Sequence, residues 1–301
     1  MTVRRCLPAA MACVCTLAAA GCGLGPGDSV GDVELSVSRD YGAKVLLRGG
    51  ESDAPESETA MRLLDRKADI STRYGGGFVE SVDGLEGDTV DGRSYDWFFY
   101  VNGVESPVGS ADYPLHGGYR VWWDYRDWTA AMRVPAVVGS YPEPFLHGYE
   151  GERHSVRVSC LGGGRACAVV RAKLRAVGAK VDGGGDPIRV LIGPWSRVRA
   201  DDAAALIERG PAYSGVFGDF ESSGGGWRLQ ELDATGQPSG PPRNAGLVAA
   251  TRRGDDPPTW VVTGSDVAEA LAAARTLNAA DLRDRYAVAT GPDGATAVPV
   301  P

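Results

Sequence analysis

Eleven of the chain's 24 aromatic residues fall within residues 95–128. Rings at this density offer flat apolar surface, suited to stacking on a planar ligand or to filling a β-core. Strand periodicity sorts them, because successive side chains point to opposite faces. Tyr119, Val121, Trp123 and Tyr125 share an apolar face, while Arg120, Trp122, Asp124 and Arg126 share a polar one. The alternation predicts Trp123 buried and Trp122 at least partly exposed among charges. Two roles for Trp122 stay open: ligand or partner contact, and packing against a helix or a second domain. In the run Tyr95–Val101, Trp97 and Phe99 oppose Phe98 and Tyr100, so both sides are apolar. Upstream, Tyr74-Gly75-Gly76-Gly77-Phe78 sets three glycines between two rings. Glycines there allow close backbone approach to a ligand, or a sharp turn before a strand.

Other chemistry is sparse. The three histidines, His116, His147 and His154, are too few for a multi-histidine metal site and leave few candidates for a nucleophile relay. The sequence has no HExxH, GxSxG or EF-hand pattern. A strand followed by Gly162-Gly163-Gly164 approaches a dinucleotide loop, but Cys167 stands where the third glycine belongs. Asp201-Asp202 reads as helix capping, and Asp219 with Glu221 flanks a strand end. Net charge is −8 with no basic block, which argues against nucleic acid as a partner. The expectation is therefore a protein that is not an enzyme, with no metal, no cofactor and no nucleic-acid partner.

The N-terminus is an address. Arg4 and Arg5 precede an apolar run from Leu7 to Ala20, too short for a mature membrane span, and this is a secretory signal peptide. Its ending, LAAAGC, resembles a bacterial lipobox, with Ala19 where leucine is usual. That resemblance implies cleavage before Cys22 and diacylation of its sulfur. The alternative is a simply secreted protein. Once Cys6, Cys13 and Cys15 leave with the leader, Cys160 and Cys167 are the remaining pair beside Cys22. In an oxidising compartment they are expected to form a structural disulfide.

The elements that must position these residues fall into segments. Residues 1–21 are the leader and 22–32 a Gly-rich tether. Residues 33–128 alternate strands with one helix starting near Pro55, and Asn102-Gly103 marks a hairpin. This predicts an α+β domain, one helix on a mixed, grasp-like sheet. Residues 129–154, with Pro135, Pro142 and Pro144, read as a semi-rigid connection. Residues 155–301 mix strands with helical patterns at 167–177, 201–209 and 266–274, an α/β domain of unknown role.

Tyr74–Gly84 (YGGGFVESVDG), followed by WFFYVNGVESPVGSADYPLHGGYRVWWDY from Trp97 to Tyr125, resembles the DUF4430 family. That family is related to the C-terminal domain of the vitamin B12 carriers transcobalamin and intrinsic factor. The resemblance covers residues 33–128. In the carriers this domain closes one side of the corrin, and a large α/α barrel supplies the other. No such barrel exists in this chain, so its second domain or a partner would complete a site. The resemblance implies a lipid-anchored ligand-capture protein on the outer face of the cytoplasmic membrane. Its ligand would be a corrinoid or another micronutrient, delivered to a membrane uptake system. The alternative is a module that binds another cell-envelope protein. Candidate ligand-contacting residues are Tyr74, Gly76, Phe78, Trp97, Tyr100 and Trp122. The anchoring expectation is tested by Cys22→Ser, which should abolish lipid attachment and move the protein to the aqueous phase in detergent partitioning. Continued membrane partitioning of that variant would refute the anchor.

Overall fold

The computed structural model describes residues 28–292 and 294–300. The leader, Cys22 and most of the tether lie outside the described residues. Strand β1 (Ser29–Arg39) begins earlier than expected, so Ser29–Asp32 belong to the sheet rather than the tether. It is followed by β2 (Lys44–Pro55), α1 (Ala60–Asp65), β3 (Ile70–Arg73), β4 (Phe78–Val82), β5 (Leu85–Glu86), β6 (Asp88–Val90), β7 (Arg93–Val101), β8 (Val104–Glu105) and β9 (Arg120–Asp127). Thr59 caps α1 by accepting from the Arg62 N–H, so the helix is shorter than the span read from Pro55 to Lys67.

The main sheet runs β2-β1-β9-β7-β6, with β8 also on β7, and β1 pairs with β9 in parallel. Strands β3, β4 and β5 form a small separate sheet. One face of the main sheet holds Val33, Leu35, Val37, Val121 and Trp123 against Leu63 and Leu64 of α1. This is the expected helix on a mixed sheet.

The second unit contains β10 (Val156–Cys160), α2 (Gly164–Ala176), β11 (Ile188–Pro194), α3 (Trp195–Val198), α4 (Pro211–Ser214), β12 (Gly218–Ser223), β13 (Gly226–Glu231), β14 (Gly246–Thr251), β15 (Thr259–Gly264), α5 (Val267–Arg275), α6 (Ala279–Leu282), β16 (Ala287–Gly291) and β17 (Gly294–Val298). Its sheet runs β10-β11-β15-β14-β16-β17, parallel from β10 to β15 and antiparallel beyond. Helix α2 stops before Gly178, which has φ +90°, as its position predicted. Asp266 caps α5 by accepting from the Ala268 and Glu269 N–H groups. The expected helix at 201–209 is a 3-10 turn over Ala204–Arg209. Cys160 and Cys167 are disulfide-bonded, as expected, joining the end of β10 to α2.

The main departure concerns the polar face of β9. Trp122 is only 2% exposed, and its expected exposure is overturned. Residues 129–154 fold under that face with Ala131, Val134, Val137, Tyr141 and Phe145 buried, so they do far more than connect. Behind them, Phe217 and Tyr286 of the second unit complete a core shared with Tyr41, Tyr100 and Trp122. Burying this face requires partners for its polar groups. Arg126, fully buried, donates from Nη1 to the Ala131 carbonyl at 2.7 Å and from Nη2 to the Met132 carbonyl at 3.0 Å. Its guanidinium lies 3.7 Å from the Phe98 ring centroid. Arg120 donates to the Tyr141 carbonyl at 2.8 Å. Asp124 accepts from Ser38 Oγ (2.5 Å), the Gly42 N–H (3.1 Å) and Tyr286 Oη (3.1 Å). Trp122 Nε1 donates to Ser38 Oγ at 2.8 Å. Gly42 (φ +82°) must stay glycine, since a Cβ there would collide with the Asp284 carbonyl.

Burial pushes the Asp124 carboxyl up from its ordinary value near 3.8 to about 6, against the opposing hydrogen bonds from Ser38, Gly42 and Tyr286 and the charge of Arg126. A raised folded-state pKa stabilises the fold below about pH 4, and that contribution is lost as pH rises through about 6. Two units correspond to roughly 3 kcal/mol. The Asp124→Asn variant should therefore gain up to about 3 kcal/mol relative to wild type between pH 4 and 7. Urea melts across that range measure it, and parallel stability curves for the two proteins would refute the assignment.

Candidate functional site

Strand β7 pairs with β9 along its length, but its other edge is only partly occupied. Strand β6 pairs with residues 93–95 and β8 with residues 100 and 101. Residues 96–99 have no strand partner on that edge among the described residues. The Trp97 N–H is taken instead by Asp96 Oδ1 at 2.8 Å. A cavity of about 310 Å³ opens along this gap. Phe78 and Val79 of β4 form one wall, and Trp97, Phe99 and Trp123 form the floor. Glu105, Ser106, Gly109, Ser110, Trp128 and Met132 also line it.

The floor is rigid because it is built from paired strands. Phe99 and Trp123 face each other across β7 and β9, with centroids 4.9 Å apart. Trp97 Nε1 donates to the Leu85 carbonyl at 2.8 Å. Trp123 Nε1 is different: it is buried and has no hydrogen-bond partner among the described residues. Tyr100 Oη, Arg126 Nε and Trp195 Nε1 are buried and unpaired in the same way away from the cavity, at a cost of about 1–3 kcal/mol for each such group.

Two carboxylates edge the cavity. Burial pushes the Asp96 carboxyl above its usual range, opposed by the Trp97 N–H and by Arg73. Asp96 also lines an adjoining, more polar cavity with Arg73, Glu80 and Asp88. Burial also raises Glu105, opposed chiefly by Arg133, whose Nε lies 3.0 Å from Glu105 Oε2. Ser106 Oγ donates to the Val108 carbonyl at 2.7 Å.

The six candidate contact residues divide by face. Phe78 and Trp97 line the cavity. Tyr74, 87% exposed, stands at its rim with its ring edge-on to Phe78 at 6.2 Å. Gly76 (φ +96°) sits in the turn before β4, and a Cβ there would meet open space. Its neighbour Gly77 lines the cavity instead. Tyr100 and Trp122 lie on the opposite face, 5.8 Å apart and each against Tyr286. The second unit fills the space that a ligand would need there. Sequence reasoning missed Asp96, Glu105, Trp123, Trp128 and Met132 as cavity residues. The one legible signal was Asp96, an acid inside an aromatic strand.

Residues 57–127 match the DUF4430 family model, described as a domain of unknown function. The resemblance read over residues 33–128 thus holds over a segment of the chain. The DUF4430 segment runs from α1 through β9 and supplies most of the cavity, while β1, β2, Trp128 and Met132 lie outside it. Comparison with curated proteins finds no match. Among solved structures, one from Ruminococcus gnavus ATCC 29149, named a candidate metal-binding protein, is 13% identical. That similarity covers 32% of this chain and 97% of the other, with a TM-score of 0.26. Among the described residues, no group of three or more His, Cys, Asp or Glu is arranged to hold a metal ion. No helix among them is long and apolar enough to cross a membrane.

Because both indoles are buried, Trp122→Ala and Trp123→Ala should each destabilise the protein by about 3–5 kcal/mol. Trp123→Phe, which removes the unpaired N–H but keeps a ring, should lose less than half as much. Chemical denaturation of the three variants tests this. A near-neutral Trp122→Ala would contradict its burial between the two units.

Proposed function

We propose that this protein is a non-catalytic capture protein of the cell envelope, held by a lipid on Cys22 at the outer face of the cytoplasmic membrane. Its aromatic cavity takes a small, largely apolar molecule for delivery to a membrane uptake system. The observation that carries the reading is the aromatic cavity at the β7 edge. Mostly apolar walls with a few placed polar groups are the usual make-up of a small-molecule site. The size of about 310 Å³ lies at the lower end of such sites. A corrinoid exceeds that space and would rest across the mouth, touching Tyr74 and Met132 rather than entering. A smaller micronutrient fits the cavity itself. The second unit acts as a buttress against the Tyr100–Trp122 face rather than as an opposing jaw.

A second reading has its own support. Tyr74, Phe78, Val108 and Met132 are exposed apolar side chains on segments around the mouth. Such a rim suits an envelope protein partner.

Thermal melts and tryptophan fluorescence with a panel of small ring compounds, apolar alcohols and a corrinoid separate the readings. A cognate ligand at 100 times its Kd should add about 2.7 kcal/mol of stability. Phe78→Ala and Trp128→Ala should each weaken it at least tenfold. If neither a compound of this panel nor a small organic cation shifts the melt, small-molecule capture fails. If Tyr74→Ser with Met132→Ser abolishes a defined envelope-protein complex in the absence of any ligand effect, the partner reading replaces it.

A further inference from the structure

The polar groups of the cavity narrow its ligand to one chemical class, an inference that rests on the capture reading above. Phe78, Trp97, Phe98, Phe99, Trp123 and Trp128 put six aromatic side chains around one space. The lining also includes two carboxylates and no lysine or arginine. Glu105 is matched by Arg133. Asp96 has no ion-pair partner among the described residues, and its one protein hydrogen bond there is the neutral one from the Trp97 N–H. Arg73, the cation of the adjoining cavity, is engaged by Glu80. Arg73 acts on Asp96 by charge alone, without an ion pair, and no protein cation lines the aromatic space itself.

Aromatic faces carry negative electrostatic potential and attract a cation, more strongly when water is excluded. A carboxylate beside them adds charge complementarity and orientation. We propose that the cavity binds a small organic cation of the alkylated-ammonium class, with its charged head among the rings beside Asp96. Alkyl groups on the nitrogen suit this site better than a bare ammonium, since they bury against rings and leave fewer N–H donors to satisfy. Burial raises the Asp96 pKa, against the Trp97 N–H and the charge of Arg73.

Choline and its uncharged carbon isostere, in which the quaternary nitrogen is replaced by carbon, share size, shape and hydroxyl. Isothermal titration of each into the chain carrying Cys22→Ser isolates the charge. Choline should bind at least tenfold more tightly than the isostere. Asp96→Asn keeps an acceptor for the Trp97 N–H, and it should reduce choline binding at least fivefold while leaving isostere binding unchanged. Equal binding of the pair, or tighter binding of the isostere, overturns the cation assignment and leaves the capture reading standing. Binding of neither, while a neutral ring compound from the panel binds, has the same consequence. No binding of any probe removes both. Should Asp96→Asn fail to fold, the comparison of choline with its isostere on the unsubstituted cavity decides the matter alone.

Discussion

The buried guanidinium of Arg126 is the constraint around which the two units are arranged. A charge with no exposure must find acceptors close by, because an unpaired buried ion costs several kcal/mol. Those acceptors are backbone carbonyls of Ala131 and Met132, only five and six residues further along the chain. The segment after β9 therefore has to turn back beneath the strand. Once it does, Ala131, Val134 and Val137 are carried under the sheet, and Phe217 and Tyr286 pack with them. Asp124 extends the same network through Ser38 of β1 and Tyr286 of the second unit. The polar face of β9 thus joins the two units by hydrogen bonds as well as by apolar contact.

The same residue reaches the cavity from behind. Phe98, beneath the Arg126 guanidinium, also lines the cavity. Met132, whose carbonyl Arg126 holds, lines it too. The interface and the candidate site consequently share two residues, although they lie on different sides of the sheet. A change that loosens the contact between units should alter the cavity before it unfolds the DUF4430 segment. The second unit earns a physical role in this way without supplying any residue to the site.

The parts of this arrangement that were legible in the sequence are those set by local period and capping. The alternation of β9 separated Trp123 from Trp122, and Gly178 and Asp266 marked a helix end and a helix start. The disulfide followed from elimination of the other cysteines. The fate of Trp122 was not legible, because the groups that satisfy Arg126 are main-chain carbonyls, which every residue carries, and Arg120 adds the Tyr141 carbonyl to its ion pair with Glu34. A polar face reads as solvent-exposed unless a segment able to cover it is recognised, and residues 129–154 announce only their prolines. The 3-10 turn at 204–209 has a similar origin. Asp201 was read as a cap, and its Oδ1 accepts the Ala203 N–H at 3.0 Å, but the turn ends within six residues at Gly210-Pro211. The cavity was hidden for a different reason: it depends on β6 and β8 covering only the ends of β7, a matter of pairing length rather than residue type.

A site at an interrupted strand edge has a consequence for binding. Its floor is fixed by the pairing of β7 with β9, so a ligand meets rings already held in place and little side-chain freedom is lost on binding. Its mouth is different, with Tyr74 in the turn before β4, Val108 in the segment after β8 and Met132 in the segment after β9 all exposed. Discrimination by charge therefore resides beside the fixed floor, at Asp96. The exposed rim governs access and what the protein touches next. In a protein that captures and hands on a small molecule, that division lets a partner engage the rim without disturbing the groups that recognise the ligand.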